Sequence, residues 1–368
     1  MLRATMCQNV TSSSALDVTL FERMPPTDVV TAWRGLAVAS ENPFALPDWL
    51  EAWCEAHPGD RPRIVVCRRG DAVAGVVPLV ARGARRRREL LAPGDELADV
   101  FAPACAPADA AAVADAVTRA LPASGWELWR LERCPAGSPW PAAAAAAGRT
   151  CVRWRAEPPL VVADLRDPDD LIDGRQRREL ARLRRKLEAE HTVAVRTSEG
   201  AEEARRDLGV LLELHAARWG AGTFTPSVRA FHTEFAARAA ERGWLRLHTL
   251  EVDGRPAAVL YGWRLGTRAF AYSQAFDPAY ARYAVGVSLL ATAIERAAAE
   301  GCTRFDMLRG DERHKQRFRV STHALESRLV ARRGSPAAAE ALARSAGRRA
   351  WARLPARGRA LAGRLRLR

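Results

Sequence analysis

The chain has 368 residues, of which 48% are hydrophobic, and a net charge of +14 at pH 7. This length exceeds the size at which one hydrophobic core usually stops growing, so we expect two domains of about 150–180 residues. Seven scattered cysteines without a C-x-x-C spacing argue against a disulfide framework or a metal site, and no run of ~18 apolar residues or signal segment is present, so we expect a soluble cytoplasmic protein.

Two stretches predict the same order of elements. Residues 61–80 and 244–265 each predict a strand, a turn and a strand, with the turns at Gly70 and at Asp253-Gly254. Two helical patterns precede each hairpin, and a strand, an apolar helix and a further strand follow it. The two turn glycines lie half the chain length apart. This arrangement predicts an internal duplication.

The run 174–190 predicts an amphipathic helix in the middle of the chain. Leu180, Leu183 and Leu187 share one face, and six arginines together with Lys186 surround them. Two interpretations are open. The helix is either a surface element that links the two halves, or a phosphate-facing patch for a cofactor, a nucleotide or RNA.

The segment 280–288, YARYAVGVS, leads into an apolar helix. Gly286 allows close backbone approach, and the N–H groups of the first helical turn form an anion site that suits a pyrophosphate. The alternative is a purely local backbone role for this glycine. The first half has only FAPACAPAD at the corresponding position, so the second half is the better candidate for a ligand site.

The segment 304–318, RFDMLRGDERHKQRF, places a carboxylate, Asp306, in an apolar strand, where it needs a partner or a function. Charged side chains crowd around the following Gly310: Arg309, Asp311, Glu312, His314 and Lys315. They form either a solvated turn or a ligand site at a strand end. Lys315 is unusual because it and Lys186 are the only lysines among 57 basic residues, which favours a pocket that accepts a compact ammonium group.

Residues 280–318 resemble the motif region of the CelD-like branch of the GNAT acyltransferase superfamily. A tyrosine-rich stretch and a glycine precede an apolar helix, and the next strand ends in LRGDE followed by a lysine. The stretches NPFALPDWLEAWCEAH, RRELARLRRKLEAE and LLELHAARWG are also similar, so the resemblance spans nearly the whole chain. Two positions depart from the family pattern: Ala284-Val285 replaces a frequent Ser-Pro, and His314 replaces a frequent tyrosine.

The resemblance implies an α/β (α+β) fold of two tandem GNAT-like domains, each with a mixed, mainly antiparallel sheet flanked by helices, and related in architecture to the Fem-type aminoacyltransferases. We expect a degenerate N-terminal domain over residues 1–160, a GNAT acyltransferase domain over 161–335 and a basic tail over 336–368. Residues 331–368 contain eleven arginines and one acid, Glu340, a net charge of +10. We expect weak contact of the tail with RNA or the inner membrane surface, and no specific DNA binding.

In such a fold an amine attacks an acyl thioester directly, and the protein orients both reactants, takes a proton and stabilises the oxyanion. Position and resemblance predict three groups of site residues. The catalytic group is Asp311, Glu312, Lys315 and Tyr272, with one of the two acids for acceptor recognition or as base and the tyrosine as acid toward the thiolate. The group that binds the acyl-CoA co-substrate is Gln274, Phe276, Arg282, Gly286, Val287 and Ser288. The substrate-binding group is Asp306, Arg309 and His215, of which the histidine is either a second base candidate or a structural residue.

We therefore expect an N-acyltransferase that uses acyl-CoA, above all acetyl-CoA, and acts on a small-molecule or sugar amine. The resemblance implies a role in exopolysaccharide or other envelope-related biosynthesis. Two alternatives are open. One is Fem-type transfer from aminoacyl-tRNA, for which the basic helix and tail would suit an RNA donor. The other is a non-catalytic accessory protein of polysaccharide synthesis that the tail docks at the membrane.

Overall fold

The computed structural model describes residues 16–83, 89–121, 126–167, 171–220 and 224–353. The first half contains the following elements: β1 (Asp17–Phe21), α1 (Thr27–Ala39), α2 (Pro47–Ala56), β2 (Arg61–Arg69), β3 (Ala72–Arg82), β4 (Glu89–Leu91), β5 (Ala104–Cys105), α3 (Ala110–Ala120), β6 (Leu128–Pro135), α4 (Trp140–Ala146) and β7 (Arg149–Ala156).

The second half contains the following elements: β8 (Leu160–Asp164), α5 (Gly174–Glu190), β9 (Val193–Thr197), α6 (Gly200–Trp219), α7 (Pro226–Glu241), β10 (Leu245–Val252), β11 (Arg255–Leu265), β12 (Arg268–Phe276), α8 (Val285–Ala299), β13 (Arg304–Arg309), β14 (Ser321–His323), β15 (Leu325–Arg332) and α9 (Pro336–Arg353). Among the described residues, no helix combines the length and apolar character needed to cross a bilayer.

Local chemistry explains where these elements begin and end. Gly70 closes the β2–β3 hairpin with φ 58°, and Asp253 and Gly254 close β10–β11 with φ 51° and 74°, the left-handed pair that a tight two-residue turn requires. Helix α5 begins where the carboxylate of Asp173 accepts hydrogen bonds from two backbone amides of the first turn. Gly301, with φ 81°, follows the end of α8. The predicted hairpins and helices are confirmed.

The strands form two sheets with the same internal order. The first sheet has the order β1-β2-β3-β4-β6-β15-β7, with β5 paired to β3, and the second has the order β14-β8-β13-β12-β11-β10-β9. Neighbouring strands are antiparallel except for β4–β6 and β12–β13, which are parallel. Strands β9 to β13 thus correspond to β1 to β4 and β6. The predicted α/β fold, with two tandem sheets flanked by helices, is confirmed.

The two sheets exchange strands. After β7 the chain crosses at residues 157–159 into β8, which lies between β13 and β14 in the second sheet. After β14 a single residue, Ala324, leads into β15, which lies between β6 and β7 in the first sheet. Neither connection can form a hairpin, because Pro158 and Pro159 keep the chain extended and one residue is too few for a turn. We expected residues 161–335 in one domain, and the structure places Leu325–Arg332 in the first sheet.

An aromatic core joins the two halves. Trp49 on α2 is fully buried, and its ring lies 4.7 and 4.9 Å from the rings of Phe231 and Phe235 on α7 and 6.0 Å from that of Trp263 on β11. The indole N–H donates a hydrogen bond to the carbonyl oxygen of Pro93 at 2.9 Å. Because α2 of the first half and α7 of the second bury the same rings, this interface resembles a domain interior.

Helix α9, the first part of the predicted basic tail, packs on the first sheet. It buries three alanines against an apolar face of the sheet: Ala337, Ala338 and Ala341 contact the cluster of Leu128, Leu329 and Ala331. The hydroxyl of Ser345 also donates a hydrogen bond to the carbonyl oxygen of Arg153 at 2.7 Å. The remaining residues of the tail, 354–368, lie outside the described ones.

The packing of α9 can be tested by one substitution at two positions. We expect Ala341→Glu to lower the free energy of unfolding by about 3 kcal/mol, because Ala341 is fully buried and the new carboxylate has no partner there. The same change at Ala343, which is exposed on the same helix, should alter it by less than about 0.5 kcal/mol. Urea denaturation followed by tryptophan fluorescence measures both. Equal effects would contradict the packing of α9.

Candidate active site

Strands β12 and β13 separate after a short paired section. They pair in parallel from Arg268/Arg304 to Phe270/Asp306 only. Beyond this section β12 remains paired with β11, whereas β13 remains paired with β8. A cavity of about 270 Å³ lies between the separated ends and is lined by both strands, by α8, by the loop after β13 and by Asp99 of the first half. A strand edge that has lost its neighbour offers backbone donors and acceptors to an extended ligand.

A bulge in β12 determines the position of Tyr272. Tyr261 pairs with Ser273 and Gly262 with Ala271, so Tyr272 has no partner residue on β11. A side chain at position 262 is excluded, because its Cβ would lie 1.8 Å from the carbonyl oxygen of Phe270. The bulge therefore depends on Gly262.

Tyr272, the predicted acid, lines the cavity and connects the two halves. Its hydroxyl donates a hydrogen bond to the carbonyl oxygen of Leu97 at 3.0 Å and lies 3.4 Å from Nε2 of His232. Burial and the charge of Asp99 raise the pKa of Tyr272 well above its usual range. Burial also lowers the pKa of His232 to about 3, so both side chains are neutral at pH 7. Because a thiol has a pKa of about 8.5, Tyr272 is suited to donate a hydrogen bond rather than a proton.

Asp306, a predicted substrate-binding residue, maintains the shape of β13. Its carboxylate pairs with Arg268 at 2.5 Å and accepts a hydrogen bond from the N–H of Leu308 at 2.7 Å. That second bond supports a bulge in which Leu308 adopts φ 58°. Burial raises the pKa of Asp306, although Arg268 opposes the shift. Asp306 is only 1% exposed, so the partners of its carboxyl group belong to the protein and the group is not open to a substrate.

Arg309, also predicted to bind substrate, holds the two halves together. Its Nε donates to Asp99 at 2.7 Å, one terminal nitrogen donates to Glu157 at 3.3 Å, and the other donates to the carbonyl oxygen of Glu96 at 3.0 Å. Each nitrogen of the guanidinium group therefore has a partner outside the second sheet. The sequence could not indicate these partners, since they lie more than 150 positions away.

Lys315 closes the loop that follows β13. Its ammonium group donates a hydrogen bond to the carbonyl oxygen of Arg309 at 2.7 Å, lies 3.4 Å from that of Gly310 and pairs with Glu312 at 2.9 Å. The side chain is only 9% exposed. Three acceptors converge on one compact donor, a geometry that a broad, planar guanidinium group does not fit. The retained lysine is thus explained by the shape of this loop.

The other predicted residues of this loop differ in position. Glu312 lines the cavity, and Asp311 is exposed and is not part of the lining. Burial acts to raise the pKa of Glu312, but the hydrogen bond from Lys315, a backbone hydrogen bond and the charge of Lys315 together outweigh it, and the net shift is downward. His314 also lines the cavity and is half-buried. Burial lowers the pKa of His314, with Glu312 opposing the shift.

The predicted donor-binding residues Gln274, Phe276 and Gly286 meet at the outer end of β12. A Cβ on Gly286 would lie 2.5 Å from Nε2 of Gln274 and 3.0 Å from a ring carbon of Phe276, so α8 sits directly against the strand. Val287 and Ser288 are half-buried in the first turn of α8. The N–H of Ser288 donates to the carbonyl oxygen of Ala284 at 2.9 Å, whereas no backbone partner within the described residues receives the N–H groups of Gly286 and Val287.

Arg282 is directed away from this meeting point. One of its terminal nitrogens lies 3.5 Å from the carboxylate of Glu190 on α5 and donates a hydrogen bond to the hydroxyl of Tyr283 at 2.7 Å. The positive charge of Arg282 is therefore shared with α5. His215 on α6 lies edge-on to Phe224 at 4.8 Å and does not line the cavity.

A larger cavity, of about 730 Å³, lies between the first half and the paired section of β12 and β13. Its charged residues pair with one another: Arg304 contacts Glu41 at 2.7 Å, Arg268 contacts Asp306, and Arg166 contacts Asp164. This charge-balanced lining favours no particular charge on a ligand.

Comparison with known proteins agrees with this architecture. Residues 174–316 match the family described as acetyltransferase (GNAT) domain. The structure named FemX is 12% identical, with 83% of this chain and 96% of that chain covered and a TM-score of 0.59. The C-terminal domain of a putative lysylphosphatidylglycerol synthetase from Agrobacterium fabrum is 14% identical, with 85% of this chain and 94% of that chain covered and a TM-score of 0.56. L-PGS from Bacillus licheniformis is 11% identical, with 86% of this chain and 95% of that chain covered and a TM-score of 0.50.

No curated protein matches the chain. At 11–14% identity the three structures show a shared fold and nothing more. The family match includes β12, α8 and β13, the elements that surround the 270 Å³ cavity. The region similar to GNAT acetyltransferase domains therefore coincides with the candidate active site, which supports an acyltransferase-type enzyme.

The role of Lys315 can be tested without an activity assay. We expect Lys315→Arg to keep the fold but to speed hydrogen exchange of the backbone amides at 310–315 by at least about tenfold, since the larger group cannot serve all three acceptors. Lys186→Arg, the same change on the exposed face of α5, is the matched control and should leave exchange unchanged. Unaltered exchange in Lys315→Arg would show that this loop tolerates the larger cation.

Proposed function

We propose that the protein is an acyl-CoA-dependent N-acyltransferase that transfers an acetyl group to an amine. One observation carries the proposal: the free edge of β12 leads directly to the first turn of α8, with Gly286 against Gln274 and Phe276. An extended thioester donor needs a strand edge for its amide groups and an anion site for its pyrophosphate. This corner of the second half supplies both next to a narrow cavity.

The donor would lie along β12 with its phosphates at the N–H groups of Gly286 and Val287 and beside the hydroxyl of Ser288. Unpaired amide groups of the strand edge hold the pantetheine chain, and the positive end of α8 holds the pyrophosphate. The thioester then reaches the cavity beside the bulge at Tyr272. The amine nitrogen attacks the carbonyl carbon, a C–N bond forms, and the C–S bond breaks with its electron pair on sulfur. Orientation of the two reactants supplies much of the acceleration.

The acceptor amine enters from the side of Glu312 and Asp99. Both carboxylates line the cavity, and the pKa shift of Glu312 keeps it ionised at neutral pH, which favours an ammonium group. The acceptor class we propose is a small molecule or an amino sugar. The resemblance of residues 280–318 to the CelD-like branch supports a role in exopolysaccharide or envelope-related biosynthesis.

A charge change in the first turn of α8 tests donor binding. We expect Val287→Asp to weaken acetyl-CoA binding by at least about tenfold relative to Val287→Asn, because the two side chains have nearly the same shape and only aspartate repels a pyrophosphate. Isothermal titration calorimetry on the full chain gives both dissociation constants. Gly286 is unsuitable for this test because any side chain there collides with Gln274. Equal affinities would place the phosphates elsewhere, and no binding by wild type would refute a CoA donor.

A second candidate is transfer from aminoacyl-tRNA, which the outer face of α5 favours. Arg178 and Arg185 are exposed and form no ion pair within the described part of the chain, and Arg182 between them pairs only with Glu179. Helix α5 contacts the segment 278–283 and α8, beside the proposed phosphate site. A phosphate backbone on this face would bring an acylated RNA end toward the cavity.

Charge reversal distinguishes the two donors. If RNA binds α5, the double variant Arg178→Glu/Arg185→Glu should lose more than about tenfold in affinity for tRNA and reduce the slope of log K against log salt by about 2. The double variant Arg23→Glu/Arg255→Glu changes the net charge equally at exposed positions of other elements and serves as the control. Filter binding at several salt concentrations measures both. Equal losses in the two variants would contradict a specific RNA site.

A further inference from the structure

His314 differs from every other titratable side chain that lines the 270 Å³ cavity. Asp99 pairs with Arg309, Glu312 pairs with Lys315, and the hydroxyl of Tyr272 donates to a carbonyl oxygen. Within the described residues, the imidazole ring of His314 makes no hydrogen bond and no ion pair. A ring nitrogen of His314 is therefore available to a ligand in the cavity.

The position of His314 is held by its neighbours. The preceding loop is closed by Lys315, whose backbone N–H donates to the carbonyl oxygen of Glu312 at 2.9 Å. His314 lies between these two residues and its ring is half-buried, so the loop presents it to the separated ends of β12 and β13. A general base must be held in this way beside the reacting atoms.

Charges on three sides face the ring. The segment of His314 itself contributes Glu312, Lys315 and Arg317, and α6 contributes Arg218. Across the cavity lie the charged groups of Asp99 and Arg309 and the neutral hydroxyl of Tyr272. Burial, together with the charges of Lys315, Arg218 and Arg317, disfavours a protonated imidazole, and Glu312 opposes this effect. The direction of the pKa shift leaves His314 neutral at pH 7 and able to accept a proton.

We propose that His314 is the general base that removes a proton from the acceptor ammonium group, an inference that rests on the proposed N-acyltransferase function. His314 takes one proton from the ammonium group, and the freed lone pair forms the C–N bond while the carbonyl π pair moves to oxygen. Collapse restores the C=O bond and breaks the C–S bond, with the electron pair on sulfur. The second proton lost by nitrogen goes to the thiolate, and His314 returns its proton to water.

Glu312 and Asp99 each form an ion pair with a cation of the protein, which suits them to a role other than that of the general base. Each carboxylate already pairs with a cation, a geometry that suits it to hold the ammonium group in place rather than to receive its proton. Asp311, the other predicted base, lies outside the cavity lining. His314 therefore combines position, a free ring nitrogen and the neutral state.

Two nucleophiles with different protonation states test this role in the full chain. Ethylamine is almost fully protonated at pH 7 and needs a base, whereas hydroxylamine is largely neutral and does not. We expect His314→Gln to slow ethylamine-dependent release of CoA thiol from acetyl-CoA by about 100-fold at pH 7. Hydroxylamine-dependent release should stay within about threefold of wild type, and the deficit with ethylamine should shrink as pH rises to 9. His57→Gln, on the histidine that stacks on Trp53 after α2, is the matched control.

The outcomes separate this inference from the proposed function. Equal loss with both nucleophiles, the same loss at all pH values, or no loss would overturn the role of His314. So would a wild-type chain that binds acetyl-CoA but gives no ethylamine-dependent release. A wild-type chain that does not bind acetyl-CoA in calorimetry would instead refute the proposed function itself. If His314→Gln unfolds, as judged by circular dichroism, His314→Asn takes its place under the same criteria.

Discussion

The exchange of β8 and β15 makes each sheet depend on the other half of the chain. In the second sheet β8 is flanked by β13 and β14, and in the first sheet β15 is flanked by β6 and β7. An interior strand bonds on both edges, so removing either one would leave two neighbouring strands each with an unpaired edge. Besides the exchanged strands, the aromatic rings packed around Trp49 and the hydrogen bonds of Arg309 also connect the two halves. The two halves are thereby fixed relative to each other.

This fixed relation determines the candidate active site, because its walls come from both halves. The second half supplies the separated strands, α8 and the loop that Lys315 closes. The first half supplies Asp99 and the carbonyl oxygen of Leu97, which receives the hydroxyl of Tyr272. Rotation of one half against the other would change the cavity and the partner of Tyr272 together. A rigid scaffold of this kind suits a reaction in which positioning is the main contribution of the protein.

Local sequence predicted elements well, since turns and helix ends depend on near neighbours. The left-handed pair Asp253-Gly254 and the limits 174–190 of α5 are examples. The strand exchange could not be predicted in this way, because the partners of β8 and β15 are set by pairing between distant segments and not by near neighbours. The reason that no hairpin forms is visible in the structure, where Pro158 and Pro159 keep one connection extended and Ala324 alone forms the other.

For the site, the sequence predicts residues that the structure brings to one cavity, but it does not show the contacts of each residue. Glu312 and Lys315, from the motif at 280–318, line the cavity together with Tyr272 and Gln274 of β12, because β12 and β13 are neighbouring strands of one sheet. Asp306 and Arg309 have protein partners that a sequence cannot show, and Asp99 lies in a loop of the first half without any recognisable pattern. The sequence places His314 in the polar cluster after Gly310 and marks it as a departure from the family pattern, but it does not show how the ring faces the cavity.

The crossing of the strands also affects how the protein is made. During synthesis the first sheet lacks an interior strand until residues 325–332 have left the ribosome, so the edges of β6 and β7 stay unpaired while almost all of the chain emerges. Long-range pairing of this kind slows folding and exposes strand edges to aggregation. Both sheets are therefore completed late and nearly together, and a truncated or stalled chain cannot release a finished first half.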